Sequence, residues 1–391
     1  MLLAKTIFWL SAFGFFYIYL GYPLLIWLLA RIRPSPVKKG VCDVPVSVVI
    51  SAYNEEAVIA RKLHNLLSLH DSAQIGQILV GSDGSSDRTA AEARSVLDPR
   101  IRVVEFPERR GKASVLNELI PQCQSPIVVL TDARQEVHPD AIRALLENFA
   151  DPNVGVVSGE LVFRSGSGEE TATAAGMGAY WSYEKMIRKA EARFASVPGA
   201  TGALCAIRKE AFSPIPATTL LDDVVIPMQA VMRGLRCVFE EEAIVFDDPS
   251  CTPEQESVRK RRTVAGNVQL ALMYPRWLLP WRNPIWLQFV SHKIARLLSP
   301  CFMIFLLVLN VCLLGGSFMY LVFMMLQGIF YLLSICGCLL RKNNDMLSLL
   351  ASSSFVFVVL NMTTILGLCD ALRRRFIPAW RRSTQACSAM L

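Results

Sequence analysis

Residues 46–56 read VSVVISAYNEE, an apolar run rich in β-branched residues that ends in small and polar ones. Runs of this length and composition are typical of buried strands. Helical spacing follows at once, over residues 55–69. A strand that leads directly into a helix is the first half of a crossover unit, so this segment predicts the start of an α/β domain.

The same alternation continues along the chain. Further strands are predicted at residues 77–80, 101–104 and 127–130, and helices at residues 87–96, 112–120 and 139–149. Short strands that alternate with helices predict a mostly parallel sheet. Ligands of such sheets bind at the carboxyl ends of the strands, so we expect the chemistry in the loops after Ile50, Val80 and Leu130.

The first two of these loops suit a nucleotide. Ala52, Tyr53, Asn54 and Glu55 follow the first strand, where small and polar groups let a planar ring and a ribose approach the backbone. Residues 81–87 read GSDGSSD, in which glycine permits close approach and Asp83 can accept hydrogen bonds from a base or ribose. The alternative is an ordinary turn before a helix. Neither a dinucleotide-binding fingerprint nor a P-loop is present in the sequence.

Acidic residues mark two more positions. Asp132 follows the fourth strand, where a carboxylate could hold a divalent cation against a pyrophosphate. Asp222 and Asp223 open a later helix. Adjacent acids there either interact with the helix dipole or, in a pocket, deprotonate a sugar hydroxyl.

Taken in order, these motifs resemble those of the family 2 glycosyltransferases of the GT-A fold, in their membrane-bound, polysaccharide-synthase-like branch. The resemblance covers nearly the whole chain, and the matching stretches read VSVVISAYNEE, GSDGSSDRT, GKASVLNE, TDAR, TGALCAIRKE, LDDVVIPMQAVMRG and RKRRTVAGN. It implies a nucleotide-sugar-binding α/β domain with a mostly parallel sheet, joined to α-helical transmembrane segments.

The resemblance also implies roles for individual residues. On the donor side it assigns Ala52, Tyr53, Asn54, Glu55, Asp83, Lys112, Asp132, Arg134 and Arg262. On the acceptor side it assigns Trp181, Thr201, Gly202 and Asp222. Asp223 corresponds to the general base, and Asp132 to the first acid of the DxD metal motif.

Three positions depart from the family pattern. Arg134 replaces the second acid of DxD; a guanidinium cannot coordinate a cation but can bind phosphate oxygens. We therefore expect Mg²⁺ or Mn²⁺ to be held differently or less tightly. Thr263 and Arg259 replace the tryptophan and glutamine that processive synthases carry next to Arg262, which weakens the inference of a processive, cellulose-like product.

The two ends of the chain are nearly free of charge. Residues 7–30 contain no charged residue and are long enough to span a bilayer, either as a retained anchor, which we favour, or as a signal peptide. The predicted domains are an N-terminal transmembrane anchor (1–32), a cytoplasmic GT-A domain (44–275), an amphipathic interface helix (276–298), C-terminal transmembrane helices (299–370) and a basic tail (371–391).

Basic residues beside the apolar runs predict a multi-pass protein of the inner or plasma membrane with its catalytic domain in the cytoplasm. The N-terminal anchor and three C-terminal apolar runs give four predicted crossings. From an outside N-terminus, four crossings would leave the C-terminus outside, yet the arginine-rich tail favours the inside. One segment is then re-entrant, or the count differs by one. Asn361, Thr363 and Thr364 in the last run either line a product path or join helices.

The composition argues against a nucleic-acid-binding protein and against a disulfide-rich one. The 391 residues are 53% hydrophobic and carry a net charge of +7, but the basic excess flanks apolar runs, so we expect membrane lipid and no nucleic acid as a partner. The eleven cysteines show no CxxC spacing, and no disulfide framework is predicted.

The predicted function is inverting transfer of a sugar from a nucleotide-sugar donor, with uridine as the base by resemblance, to a growing polysaccharide. The first alternative is transfer of one sugar or a short oligosaccharide to a lipid carrier. The second is a non-catalytic membrane scaffold or nucleotide-sugar sensor. A carbohydrate or glycolipid acceptor and export proteins complete the expected partners.

Overall fold

The computed structural model describes residues 1–164, 172–248, 253–339 and 346–373. Most of the basic tail, residues 374–391, lies outside the described residues, as do Arg341 and Lys342. The sidedness that these charges predict therefore stays a prediction.

A mixed sheet forms the centre of the large domain. Its strands in the described residues are β1 (Val46–Ala52), β2 (Ile75–Asp83), β3 (Ile101–Phe106), β4 (Ile127–Thr131), β5 (Glu136–Val137), β6 (Val154–Phe163), β7 (Leu204–Arg208) and β8 (Arg236–Asp247). Their order across the sheet is β3-β2-β1-β4-β7-β6-β8-β5. The helices are α1 (Leu2–Phe16), α2 (Tyr22–Ile32), α3 (Ile59–Leu67), α4 (Thr89–Ser95), α5 (Lys112–Gln122), α6 (Ala141–Glu147), α7 (Ala172–Phe194), α8 (Asp222–Met232), α9 (Pro253–Met273), α10 (Trp286–Gln288), α11 (Ser299–Leu313), α12 (Phe318–Leu339) and α13 (Met346–Leu372).

The first half of the sheet is parallel, as the sequence predicts. β1 pairs with β2 and β4, and β2 pairs with β3, all in parallel. The second half is mixed, because β7 runs antiparallel to β4 and β6, and β5 runs antiparallel to β8. β6 and β8 are parallel. The parallel half brings the ends of β1, β2 and β4 to one edge.

Both faces of the sheet are covered. Alternate residues of β1 point to opposite faces, so Val48 packs in one core cluster and Val49 in the other. Helices α3, α4 and α6 cover the first face, and α5 and α8 cover the second. Burial on both faces explains why the β1 residues are nearly continuously apolar.

Four helical runs of the described residues are long and apolar enough to cross a membrane: Leu2–Ile32, Trp286–Leu313, Phe318–Cys338 and Met346–Leu372. A π-helical turn at Tyr17–Gly21 joins α1 to α2. A second one at Phe289–Ile294 lies between α10 and α11. Residue 298, the predicted end of the interface helix, is therefore not the end of a helix in the structure. Residues 286–298 continue into α11 as one helical run.

Contacts in the middle and near the C-terminal end of α13 attach the membrane helices to one another and to the large domain. The Ser299 hydroxyl donates to Asn361 Oδ1 at 2.7 Å and also bonds the Tyr19 hydroxyl at 2.8 Å, which links α13, α11 and the first run. Asn361 therefore joins helices. At the other side, Arg261 of α9 donates to Asp370 of α13 at 2.8 Å.

Candidate active site

The loop after β1 is hydrogen-bonded to the loop after β2. Asn54 adopts a positive φ of 52°. Its side chain accepts from the Ser86 backbone N–H at 2.9 Å and donates to the Ser86 hydroxyl at 3.2 Å. The Glu55 backbone N–H donates to Thr89 Oγ1 at 2.7 Å. The two loops thus form one surface at the carboxyl edge of the sheet.

The rest of this surface comes from the end of β1 and the loop after β3. Ala52 is the buried last residue of β1. The ring of Tyr53 lies 3.7 Å from the guanidinium carbon of Arg109. Gly84 has a φ of +61°, and a Cβ there would overlap the backbone nitrogen of Arg109. Only glycine fits this close approach without strain.

Asp83 holds the loop that precedes α5. Its carboxylate is buried and accepts the backbone N–H groups of Arg110 at 2.7 Å and Gly111 at 2.8 Å. Gly111 has a φ of +86° and is followed by Lys112, the first residue of α5. The predicted nucleotide contact therefore also fixes the start of the helix that carries a predicted donor-site lysine.

Lys112 joins acids from two separate parts of the chain. Its ammonium lies 2.8 Å from Asp132 Oδ1 and 3.3 Å from Asp222 Oδ2. Burial disfavours the charged amine, but these two carboxylates outweigh it and raise the pKa of Lys112. Burial would also raise the pKa of Asp132, yet Lys112 and Arg134 keep it below its usual value. The pair is ionised at neutral pH.

A second lysine lies beneath this pair and was not predicted. Lys62 of α3 is buried, and its ammonium donates to Thr131 Oγ1 at 2.8 Å and to the Gln135 carbonyl at 2.7 Å. Burial lowers the pKa of Lys62 to about 7. Its contacts hold the loop that contains Asp132. The sequence does contain a sign of this burial: Lys62 falls on the apolar face of α3, between Ile59 and Leu66.

Asp223 differs from these acids because no described residue donates a hydrogen bond to its side chain. It is half-buried at the start of α8, and a Cβ at Gly202 would lie 3.5 Å from Asp223 Oδ2. Burial and the charge of Asp222 raise the pKa of Asp223 to about 6, although Lys293, Lys112 and Arg262 oppose the shift. A carboxylate in this state is suited to accept a proton near neutral pH.

Arg262 lies on α9 beside the segment that leads into α8. Its guanidinium donates to the Leu220 carbonyl at 2.9 Å, two residues before Asp222. Its Nε atom is buried and has no partner among the described residues. The structure thus brings Arg262 close to the acidic pair, and its role at the donor stays a prediction.

The predicted acceptor residues fall into two groups. The Thr201 hydroxyl donates to the Gly159 carbonyl at 2.6 Å, and Arg188 of α7 donates to Thr201 Oγ1 at 3.0 Å. Gly202, the next residue, lies against the Asp223 carboxylate, so both residues are near Asp223. Trp181 lies about two turns earlier on α7 and packs against Phe163, with ring centroids 5.6 Å apart. A direct role for it in acceptor stacking stays a prediction.

A buried polar network ties the membrane helices to α7 and was not predicted. His292 bonds Glu191 at 2.8 Å through Nδ1 and Glu184 at 2.9 Å through Nε2. The Tyr22 hydroxyl donates to Glu191, and Arg296 pairs with Glu184. The sequence shows only the helical spacing of His292 and Arg296, because their partners lie about a hundred residues earlier.

Comparisons with known proteins identify the family of the central domain. Residues 47–215 match the family model described as glycosyl transferase family 2. The chain carries a family 2 glycosyltransferase domain. This assignment confirms the predicted family and the prediction of a transferase, and the glycosyltransferase domain contains the segments around Asp83, Lys112 and Asp132.

Two curated relatives match parts of the chain. Poly-beta-1,6-N-acetyl-D-glucosamine synthase of Staphylococcus aureus (strain COL) is 27% identical over 208 residues, which cover 51% of this chain and 49% of the relative. Beta-monoglucosyldiacylglycerol synthase of Synechocystis sp. is 33% identical over 120 residues, 29% of this chain and 24% of the relative. The chain thus spans about half the length of the first relative.

One solved structure matches most of the chain. It is a mannosyltransferase from Pyrobaculum calidifontis, in complex with GDP-Man and Mn²⁺, with a TM-score of 0.72 at 19% identity. The match covers 93% of this chain and 99% of that one. This likeness confirms the predicted GT-A-like α/β fold of the glycosyltransferase domain.

Proposed function

We propose that the protein transfers a sugar from a nucleotide-sugar donor to a hydroxyl group of a polysaccharide or glycolipid acceptor at a membrane. The observation that carries this proposal is the position of Asp223. Its half-buried carboxylate has a raised pKa and no hydrogen-bond donor among the described residues, and it lies next to the Lys112–Asp222 contact.

The donor lies, in this proposal, on the surface formed by the loops after β1, β2 and β4. Tyr53, Asn54 and Asp83 shape the pocket for the nucleoside, directly or through the loops that they hold. Lys112, Arg134 and Arg262 supply positive charge for the diphosphate. Preorganised cations of this kind stabilise charge that develops on a leaving group.

Asp132 fits a role in holding Mg²⁺ or Mn²⁺. Among the residues that the structure describes, no three His, Cys, Asp or Glu side chains cluster as a cation site. The Asp132 side chain is 37% exposed and hence accessible, and such ions are often held by one or two carboxylates together with substrate phosphates and water. The bound cation would neutralise charge on the diphosphate. The Mn²⁺ in the Pyrobaculum calidifontis structure supports this assignment.

Asp223 acts as general base at the acceptor. As the acceptor oxygen forms a bond to the anomeric carbon, its proton passes to the Asp223 carboxylate. The bond from that carbon to the diphosphate oxygen breaks, and the nucleoside diphosphate leaves with the electron pair. Attack opposite to the leaving group inverts the anomeric configuration. Thr201, Gly202 and Asp222 border the place where the acceptor hydroxyl would lie.

The product is a polysaccharide or a glycolipid. The Staphylococcus aureus relative supports a polymer, and the Synechocystis relative supports a glycolipid. An apolar cavity between the membrane helices favours the second candidate. We propose that the domain lies on the cytoplasmic side of the inner or plasma membrane, and the basic flanks of the apolar runs support this orientation.

The test is to incubate the full-length protein, purified in detergent, with a panel of radiolabelled nucleotide sugars, with and without Mg²⁺, and to size the products. We expect one donor to be consumed, with release of its nucleoside diphosphate. A long chain identifies a polysaccharide synthase, and an organic-soluble product identifies a glycolipid synthase. Absence of turnover with every donor and acceptor would contradict the proposal and favour a non-catalytic membrane scaffold.

A further inference from the structure

A cavity of about 780 Å³ lies between the membrane helices and the glycosyltransferase domain. Side chains of α1, α11, α12 and α13 form most of its wall, and the majority of them are apolar. Examples are Phe15, Leu306, Leu326, Phe330 and Val356. An apolar space of this size, within segments that can cross a bilayer, suits the hydrocarbon chain of a lipid.

The end of the cavity nearest the domain is polar and basic. Lys260, Lys293 and Arg296 line it together with Glu184 and His292. Glu184 is already engaged, because it pairs with both Arg296 and His292. The positive charges that line this end therefore exceed the negative ones.

Several donors at this end lack partners within the described chain. The Nε and Nη2 groups of Arg296 are buried and donate no hydrogen bond to the residues that the structure describes. Lys293 likewise has no hydrogen bond or ion pair among those residues. Buried donors and charges without partners are costly, so an anionic ligand at this position would remove that cost.

The basic end also borders the catalytic site. A Cβ at Gly199 would lie 3.5 Å from Lys293 Nζ and 3.4 Å from the backbone oxygen of Asp223. Lys293 therefore touches both the cavity and the segment that packs on the start of α8. A molecule whose chain lies in the cavity would present its head next to Asp223.

We propose that the acceptor is a membrane lipid with a phosphate-bearing, hydroxylated head: its hydrocarbon chain occupies the cavity, its phosphate binds Lys293 and Arg296, and its hydroxyl faces Asp223. This inference rests on the proposed glycosyl transfer and specifies its acceptor. A phosphate oxygen as nucleophile would already be ionised and would need no base. The unpartnered carboxylate of Asp223 therefore favours a hydroxyl nucleophile, with the phosphate serving for binding.

The transfer step is balanced within this arrangement. The hydroxyl oxygen of the lipid head forms the new bond to the anomeric carbon, and its proton goes to Asp223. The anomeric bond to the donor diphosphate breaks, and the nucleoside diphosphate takes the electron pair. The phosphate of the lipid is unchanged by the reaction.

Three acceptors that present the same sugar test the proposal on the full-length protein: the free disaccharide, a neutral alkyl glycoside and an alkyl phosphate-linked sugar. We expect KM for the phosphate-linked lipid to be at least about tenfold below that for the neutral lipid, from charge-assisted hydrogen bonds. The free disaccharide should be poorest. Equal use of the neutral lipid, or preferential use of the disaccharide, would overturn the proposal and leave glycosyl transfer itself intact.

A matched pair of variants tests the cavity. Val356 lines it and is 5% exposed, whereas Val359, one turn along α13, is 39% exposed on the outer face. Val356→Phe should raise KM for the phosphate-linked lipid about tenfold or more. Val359→Phe should leave this KM unchanged. Equal effects of the two variants would contradict a chain in the cavity.

A photoreactive group in the alkyl chain of the phosphate-linked lipid gives a readout that needs no turnover. We expect crosslinks to peptides of α12 and α13, and their loss in Val356→Phe. Crosslinks elsewhere only would overturn the proposed site. If crosslinking succeeds but no donor is ever consumed, the lipid site stands and the proposed glycosyl transfer fails.

Discussion

Lys112 Nζ lies 2.8 Å from Asp132 Oδ1, so a lysine at the start of α5 is ion-paired with the acid that follows β4. The same ammonium reaches Asp222, one residue before the proposed base. One side chain thus connects the predicted donor side of the site to its acceptor side. A change at Lys112 should affect both.

The first prediction concerns the base. Asp223→Asn keeps the shape of the side chain but removes its ability to accept a proton at neutral pH. We expect turnover to fall by about 10²–10⁴-fold, the usual contribution of general-base catalysis. Donor affinity, measured by calorimetry, should change little. Asp43→Asn, at an exposed position before β1, is the control. Near-normal turnover of Asp223→Asn would show that another group is the base.

The second prediction concerns pH. Asp223 has a pKa of about 6, and only its ionised form accepts a proton, so kcat/KM should fall as the pH drops below about 6. Lys293 lowers the pKa of Asp223, so Lys293→Met should shift this acid limb to higher pH. Lys189→Met, which removes an exposed lysine of α7, should leave the limb in place. If the acid limb of Lys293→Met is unchanged, the limb does not report the ionisation of Asp223.

The third prediction concerns Lys112. Lys112→Met leaves Asp132 and Asp222 without their shared cation and removes positive charge near the diphosphate. Hydrogen bonds to charged groups contribute about 1.5–3 kcal/mol, so kcat/KM should fall by about 10–100-fold. Lys112→Arg, which keeps the charge, should recover part of the loss in steady-state assays. Failure of Arg to recover any activity would indicate that the geometry of the ammonium, rather than its charge, is required.

The fourth prediction concerns stability. Glu191 is fully buried and accepts hydrogen bonds from Tyr22 and His292, whereas Glu241 is 42% exposed and pairs with Lys189. Glu191→Gln should lower the free energy of unfolding by about 1–3 kcal/mol, because it leaves a buried hydrogen-bonding partner unsatisfied. Glu241→Gln should cost less than about 1 kcal/mol. Thermal unfolding of both variants in one detergent distinguishes them, and equal effects would show that the network adds no stability.

Local patterns were sufficient to predict the parallel half of the sheet. The apolar runs of β1, β2 and β4 are each followed by a helix, so their parallel direction follows from crossover rules. The mixed half depends on pairings that a local pattern cannot specify. β6 pairs in parallel with β8, whose register partner for Val157 is Val238. Only the folded chain shows that pairing.

The candidate site was likewise predictable only in part. Asp83, Asp132 and Asp223 stand at strand or helix ends, so their place in the site could be predicted from the sequence. Their partners could not, because the contacts of Asp83 with Arg110 and of Lys62 with Thr131 join residues distant in sequence. His292 falls within the predicted interface helix, and its burial between two glutamates could not be predicted from local spacing.

The ion pair between Arg261 and Asp370 couples the candidate site mechanically to the membrane helices. It ties α9, which carries Arg262, to a helix that is long and apolar enough to cross a membrane. A shift of α13 would therefore be transmitted to Arg262 through this ion pair.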